Sequence, residues 1–441
     1  MFEALSMPLP LAGLSMVLLM AAVLWLRLPI ALILAGLGML GTALLDGPTS
    51  ARTLLGNEVW GTLSSYSMTV IPLFIFMGQV CFHSGLNERL YRALNTLVGH
   101  IPGGLAVATL LACGGFSAIC GSNTATAATM AGVAMPEMQR YGYRNEFAAG
   151  TVAVGATLGA VIPPSVVLIV IGLQTGLSIS TLFLASVIPG ILLMAGFALC
   201  AVIAARLHPD WAHRQPKASS RERVAALPRL LEVLVLWGGV LGGMGSGLVT
   251  PTEAGGLGAL IALLMGVASG NLGLRGIIRA ASDTLRLTAM ILLLLAGAMI
   301  FGKFMTLTRL PFELSALVTR LDILPAVAIA AIIVLYFFGG MIIDALALLL
   351  ITVPIFFPMM EGLGIDMIWF SMMVTVVTTI GAVTPPVGVC AYVVAASVPG
   401  TSLPGTFRGI MYFMPAYIAL LALMAVCPQL TAILPALAGQ P

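Results

Sequence analysis

Apolar runs of about 20 residues recur along nearly the whole chain, and this recurrence limits its fold more than any other feature. A helix rises about 1.5 Å per residue, so such a run spans the roughly 30 Å hydrocarbon core of a bilayer. Runs of this kind lie near 8–26, 28–45, 64–83, 180–205, 230–249, 252–270, 287–308 and 409–435. Inside lipid every backbone N–H and C=O needs a partner within the protein, which leaves helices or closed barrels, and continuous runs of this length predict helices. Of the 441 residues, 60% are hydrophobic and 8% charged, too few charged groups to clothe a water-facing surface. No soluble domain is expected, and a formal net charge of +3 gives no footing for nucleic acid.

Four further apolar regions are interrupted. Residues 101–138 and 323–360 each carry Gly and polar residues in mid-run, and 145–179 and 366–399 each contain a Pro-Pro pair. Read as two re-entrant hairpins and two single broken spans, they give each half of the chain an odd number of crossings, so the halves run in opposite senses. One side then receives Arg27, Arg89, Arg92, Arg140, Arg144, the cluster from Arg206 to Arg229, Arg275, Arg279, Arg286 and Arg408, which is 15 of the 19 Lys and Arg residues. Arg52, Arg309 and Arg320 fall on the other side, and Lys303 within a span. The positive-inside rule makes the richer side cytoplasmic and places both termini in the periplasm. Counting every hairpin arm as a full span scatters the basic loops to both faces. Residues 207–229 read as a solvated cytoplasmic linker between a first repeat (1–206) and a second (230–441). The first apolar run has no basic segment before it and no small-residue cleavage site after it, so it reads as a retained helix.

The halves are related by more than orientation. Gly159-Ala160-Val161-Ile162-Pro163-Pro164 returns 222 residues on as Gly381-Ala382-Val383-Thr384-Pro385-Pro386. At the same offset Pro29 meets Pro251, Gly36 meets Gly258, Pro136 meets Pro358 and Met138 meets Met360. An inverted repeat with broken helices is the architecture of secondary transporters, where unwound backbone near the midplane offers carbonyls to cations and half-helix N-termini to anions. Gly permits unusual backbone angles, and paired prolines remove two N–H donors and free carbonyls of the preceding turn. A proline kink alone would explain one copy; two copies in register point to a site. The hairpin tips add side chains. Between Phe116 and Thr126 lie Ser117, Ser122, Asn123, Thr124 and Thr126, hydroxyl and amide groups that lipid would leave unsatisfied. Interhelical hydrogen bonding is the plain alternative for them. In the second hairpin Asp344 lies well inside an apolar stretch, where a carboxylate is costly and functional by default. It stands at the 222-residue offset from Ser122.

The twin GAVIPPS and GAVTPPVG segments, the FSAICGSNTATAATM and GGMIIDALALLLITVPIFFP hairpins and the Thr250-Pro251-Thr252-Glu253-Ala254 motif together resemble the large membrane subunit of TRAP (tripartite ATP-independent periplasmic) transporters, the DctM type, over essentially the whole chain. The resemblance implies an all-α integral membrane protein with an inverted-repeat, elevator-type mover and two sodium sites, each built from a hairpin tip and the adjacent broken helix. Carried over residue by residue, one site would use Ser117 with Gly159, Ile162 and Pro164, and the other Gly340 with Gly381, Thr384 and Val387, several through backbone carbonyls alone. Cys120 stands where such tips often show a hydroxyl. The substrate, a small organic acid anion, would lie between the tips near Ser122, Asn123, Ser165 and Asp344. Implied partners are a small four-helix membrane subunit (DctQ type) and a periplasmic substrate-binding protein (DctP type), assembled at the bacterial inner membrane for sodium symport.

Rival classes find little support. An intramembrane enzyme would need paired aspartates, a Ser/His set or a histidine-rich metal site. His83, His100, His208 and His213 fall near loop ends, and Cys81, Cys113, Cys120, Cys200, Cys390 and Cys427 lie in apolar stretches without metal-ligand spacing, so no enzyme is expected. A channel suits paired broken helices less well than alternating access does. A stand-alone sodium/dicarboxylate carrier is the nearest alternative. Lys303, six residues before Arg309, reads as snorkelling to the periplasmic surface, and Glu253 as a first-turn acid on a helix dipole.

Overall fold

The computed structural model describes residues 8–26 and 28–439; Arg27 and the extreme termini, which enter the topology argument, lie outside the described residues. Every regular element among the described residues is helical. In the first half, α1 (Leu9–Leu24), α2 (Ile30–Asp46), α3 (Pro48–Ser64) and α4 (Val70–His83) lead into an amphipathic α5 (Leu86–Val98). A helical hairpin follows, α6 (Gly104–Cys120) and α7 (Asn123–Arg140), then a broken run, α8 (Asn145–Ala156), α9 (Leu158–Val161) and α10 (Val166–Thr175), and the long α11 (Ile179–Leu207). In the second half, α12 (Ser220–Trp237) continues through a π-helical turn into α13 (Gly243–Gly245), followed by α14 (Pro251–Ala268), α15 (Leu274–Leu307) and α16 (Leu310–Arg320). The second hairpin is α17 (Pro325–Ile342) and α18 (Ala345–Gly362), the second broken run α19 (Met367–Gly381) and α20 (Val389–Ser397), and α21 (Leu403–Met411), α22 (Met414–Val426) and α23 (Ile433–Leu437) close the chain. Hairpins and broken runs therefore recur with nearly the same helix ends at the 222-residue offset.

Eight helical stretches among the described residues are long and apolar enough to cross a membrane, and the bent pair α21 and α22 makes a ninth if it is one span. The chain is a multi-pass membrane protein. The run Asn145–Thr175 has its apolar window wholly buried inside the chain, which explains why it shows no polar face. Two expectations need correction. The apolar run at 409–435 is not one straight segment: α21 and α22 meet at 50°, where Pro415 has no N–H to return to the turn before it, and α22 ends at Val426. The linker is shorter than 207–229, because α12 already begins at Ser220. Ser219 and Glu222 form a capping box, with Ser219 N–H donating to Glu222 Oε2 at 2.8 Å and Glu222 N–H donating to Ser219 Oγ at 3.3 Å. Thr250 and Glu253 start α14 in the same way, so Glu253 is a helix-capping acid as its position after Pro251 suggests.

The halves interlock. α2 packs along α15 while α14 packs along α4, and α10 lies against α18 while α20 lies against α7, so each contact has its counterpart with the halves exchanged. Small residues bring the first pair together. At Gly38 a Cβ would stand 2.9 Å from Phe301 N, and at Gly297 one would stand 2.4 Å from Ala31 O, so α2 and α15 meet backbone to backbone. Around the broken runs, Phe147 stacks on Phe413 with ring centroids 5.9 Å apart, and Phe197 meets Tyr417 edge-on at 4.8 Å, tying α8 and α11 to α22 and its entry turn.

Candidate functional site

The first hairpin tip is wedged into the break of the neighbouring run. α6 ends because Gly121 adopts the left-handed conformation (φ 62°), its N–H closing on Ser117 O at 2.8 Å. Ser122 is extended and caps α7, its Oγ accepting Ala125 N–H at 3.4 Å. A Cβ on Gly121 would come 3.1 Å from Val166 N and 3.3 Å from Pro164 O, so a larger residue would lever the tip off the break. The break itself is braced: Ser165 Oγ donates to Ala160 O at 2.8 Å, and Trp237 Nε1, arriving from α12, donates to Pro163 O at 2.8 Å.

Four of the expected residues converge here. A Cβ on Gly159 would stand 3.2 Å from Asn123 Oδ1, 3.3 Å from the Ser122 carbonyl carbon and 3.4 Å from Ser117 Oγ. Ser117 Oγ donates to Thr126 Oγ1 at 3.4 Å. Ser117 and Thr126 are fully buried and Asn123 is 8% exposed, yet Asn123 Oδ1 has no hydrogen-bond partner. Leaving a buried acceptor unmatched costs about 1–3 kcal/mol. The donor set around it is hydroxyl, amide and backbone oxygen without a formal charge, a composition that suits a small hard cation. Pro164 reaches the site's edge, its carbonyl lying beside Gly121. Ile162 turns its side chain elsewhere: it packs at Gly190 of α11, where a Cβ would meet Ile162 Cγ1 at 2.8 Å, and its backbone N–H donates to Leu158 O at 2.7 Å.

The second tip repeats the plan with different chemistry. Gly340 and Gly381 touch backbone to backbone: a Cβ on Gly381 would lie 2.6 Å from Gly340 C and 2.7 Å from Phe337 O. Asp344 takes the capping position that Ser122 holds in the first tip, its Oδ2 accepting Leu346 N–H at 3.1 Å. Thr384 Oγ1 donates to Ile380 O at 2.6 Å, which spends its proton within the run and leaves its lone pairs. Val387 is 39% exposed. The two tips differ most in cover. Ile162 through Ser165 are all buried, whereas Ile342, Asp344, Pro385, Pro386 and Val387 are exposed.

Away from the tips, a cavity of about 280 Å³ opens between α10, α15 and α18, lined by Gln174, Lys303, Thr306, Phe357 and Glu361 among others. Lys303 lies four residues from the end of α15 and is exposed there. No cluster of His, Cys, Asp and Glu capable of holding a metal occurs among the described residues, and the six cysteines are free. Sequence reasoning missed Trp237, which reaches the first break from 74 residues away.

This arrangement of hairpins and broken runs is that of a membrane transporter. The YdaH transporter of Alcanivorax borkumensis shares the fold with a TM-score of 0.60 over 89% of both chains at 20% identity. MtrF of Neisseria gonorrhoeae does so at 0.51, over 86% of this chain and 84% of that one, at 14% identity. Sequence carries the assignment further: residues 17–430 match the model of the DctM component of the tripartite ATP-independent periplasmic transporter, and the chain belongs to that family. It is 34% identical over 402 residues to the C4-dicarboxylate TRAP transporter large permease protein DctM of Pseudomonas aeruginosa, spanning 90% of this chain and 93% of that protein. It is 32% identical to the sialic acid TRAP transporter large permease protein SiaM of Vibrio cholerae, over 86% of this chain and 89% of that one. The 2,3-diketo-L-gulonate TRAP transporter large permease protein YiaN of Escherichia coli is 31% identical, over 91% and 94%. These relatives are permeases, which fits a transport protein and not an enzyme.

Proposed function

We propose that this chain is the large membrane subunit of a sodium-driven TRAP transporter that imports a small organic acid anion across the bacterial inner membrane. Its partners are a small four-helix subunit of the DctQ type and a DctP-type periplasmic protein that delivers the substrate. One observation carries the reading: the buried, unpartnered Asn123 Oδ1 faces Ser117 Oγ and the Gly159 backbone, an electron-rich pocket that a cation would complete. The second sodium site lies at Gly340, Gly381, Thr384 and Val387, where backbone carbonyls and the Thr384 lone pairs are the donors. The two hairpins enter from opposite faces as re-entrant arms, and the element carrying both tips moves across the membrane as an elevator. The named substrates of the three relatives are carboxylates, which supports a carboxylate as the substrate here. The carboxylate is received at the N-terminus of α7 by Ser122 and Asn123, with Ser165 behind them. Asp344 occupies the equivalent end of α18 and supplies negative charge beside the second sodium site.

The test is uptake into vesicles holding this chain, the small subunit and a loaded binding protein, across a range of sodium concentrations. Asn123→Leu keeps the branching of the side chain and removes the oxygen. The half-saturating sodium concentration should rise about fivefold, equivalent to about 1 kcal/mol. Unchanged sodium dependence in the folded variant removes Asn123 from the site. Brisk uptake by this chain alone would instead identify a stand-alone carrier.

A further inference from the structure

The 222-residue repeat is broken where the hairpin tips meet their surroundings. Two helices from outside the hairpin close in on the first tip. On α4, which packs along α14, a Cβ at Gly78 would stand 3.0 Å from Ile119 O and 3.1 Å from Cys120 Cα, so that helix touches the tip backbone directly. From α12, Trp237 Nε1 donates to Pro163 O at 2.8 Å, in the break into which the tip is wedged. Directly after Trp237 the helix widens into its π-helical turn, Gly238–Gly242, an element frequent at functional sites.

Neither contact has its counterpart at the second tip among the described residues. The offset carries Gly78 to Ile300, which packs on Gly38 of α2, and Trp237 back to Ser15, whose Oγ donates to Ala12 O within its own helix at 2.8 Å. Ile342, Pro385 and Pro386 stand exposed there. The pinned carbonyl belongs to the first break and the pinning groups to α4 and α12. Travel of the two-tip unit past those helices must therefore break the hydrogen bond and part the backbones. A hold on one tip alone favours one conformation over the other, the first tip covered and the second open.

We infer that Gly78 and Trp237 form a seat for the first hairpin tip, a positioning contact that holds the two-tip unit with its second tip open and is vacated each time the unit moves. The inference rests on the elevator reading above and needs no sodium site.

The experiment follows N-ethylmaleimide labelling of a single cysteine in the complete transporter in membrane vesicles. Ile119 is 1% exposed, so Ile119→Cys, with the native cysteines replaced by serine, reports how often the tip leaves its seat. Native Cys390 kept alone reports loosening elsewhere, since it is equally buried on α20, which packs on α7, α8 and α21. Trp237→Phe deletes the N–H and should speed Ile119→Cys labelling about fivefold, equivalent to about 1 kcal/mol, while Cys390 keeps its rate. Trp237→His restores a ring N–H at the same place along the side chain and should return labelling toward the parent. Gly78→Ala presses a methyl group on the tip backbone and should speed labelling likewise, which keeps the seat testable if the ring variants do not fold. Unchanged Ile119→Cys labelling in the folded variants, or equal acceleration at both reporters, would overturn the seat and leave the elevator standing. A parent whose Ile119→Cys never reacts during uptake would sink the elevator and the seat with it.

Discussion

Gly381 and Gly159 occupy equivalent positions, yet a methyl group would meet different neighbours at each. At Gly381 it would press on the Gly340 carbonyl carbon and Phe337 O, backbone atoms that cannot yield without moving the hairpin. At Gly159 it would meet the ends of Asn123 and Ser117, which can turn aside, and the Ser122 carbonyl carbon only at 3.3 Å, where a shift of a few tenths of an ångström relieves the contact. Gly381→Ala should therefore lose about 1–3 kcal/mol of stability, seen as a lower melting temperature of the purified protein, while Gly159→Ala should melt close to the parent. Equal melting of all three would contradict the packing at the second tip. Much of this site could be read from residues alone: Ser117, Ser122 and Asn123 are polar in an apolar run, and Gly159 and Gly381 precede twin Pro-Pro pairs. Ile162 was harder to place, because a residue proposed for its carbonyl carries no signal in its side chain, which here packs on α11. Trp237 was beyond reach for another reason. It acts from 74 residues away, and a tryptophan is not unusual in a membrane helix.

At the level of elements, hydropathy located the spans but not their ends. It senses lipid contact, whereas a helix continues for as long as its hydrogen bonds and caps allow. α15 thus starts at Leu274, well before the apolar run at 287–308, since an amphipathic segment carrying Arg275, Arg279 and Arg286 extends it. α12 was cut short in the same way, although the Ser219 and Glu222 spacing announced a capping box. The Thr250 and Glu253 box tests how much such caps contribute. Thr250→Ala removes the oxygen that accepts Glu253 N–H and should cost about 1 kcal/mol in a denaturation measurement, while Thr250→Ser should restore it. An alanine variant as stable as the parent would show that tertiary packing alone sets the start of α14.

On the scale of the whole molecule, three polar contacts between basic and acidic side chains join the halves among the described residues. His83 meets Asp283 at 2.9 Å, Arg89 meets Glu232 at 2.8 Å and Glu146 meets Arg408 at 3.1 Å. All three lie on the face that the positive-inside reading makes cytoplasmic. In a cysteine-free background, Arg214→Cys should react with an impermeant thiol reagent only from the cytoplasmic side, and Asp366→Cys only from the periplasmic side. Labelling of both from one side would rule out the inverted arrangement. The exchange of helices between halves, α2 onto α15 and α4 onto α14, also bears on how the protein is made. A ribosome adds about 5–20 residues per second, so on the order of 10–50 s separate the synthesis of α2 from that of α15. Throughout that interval the face bearing Ala31, Gly38 and Gly41, which meets Gly297, Phe301 and Phe304 of α15, has no native partner. The newborn first half is an unclosed fragment that lipid or the insertion machinery must shelter, and the molecule becomes a single body only when its second half threads in beside it.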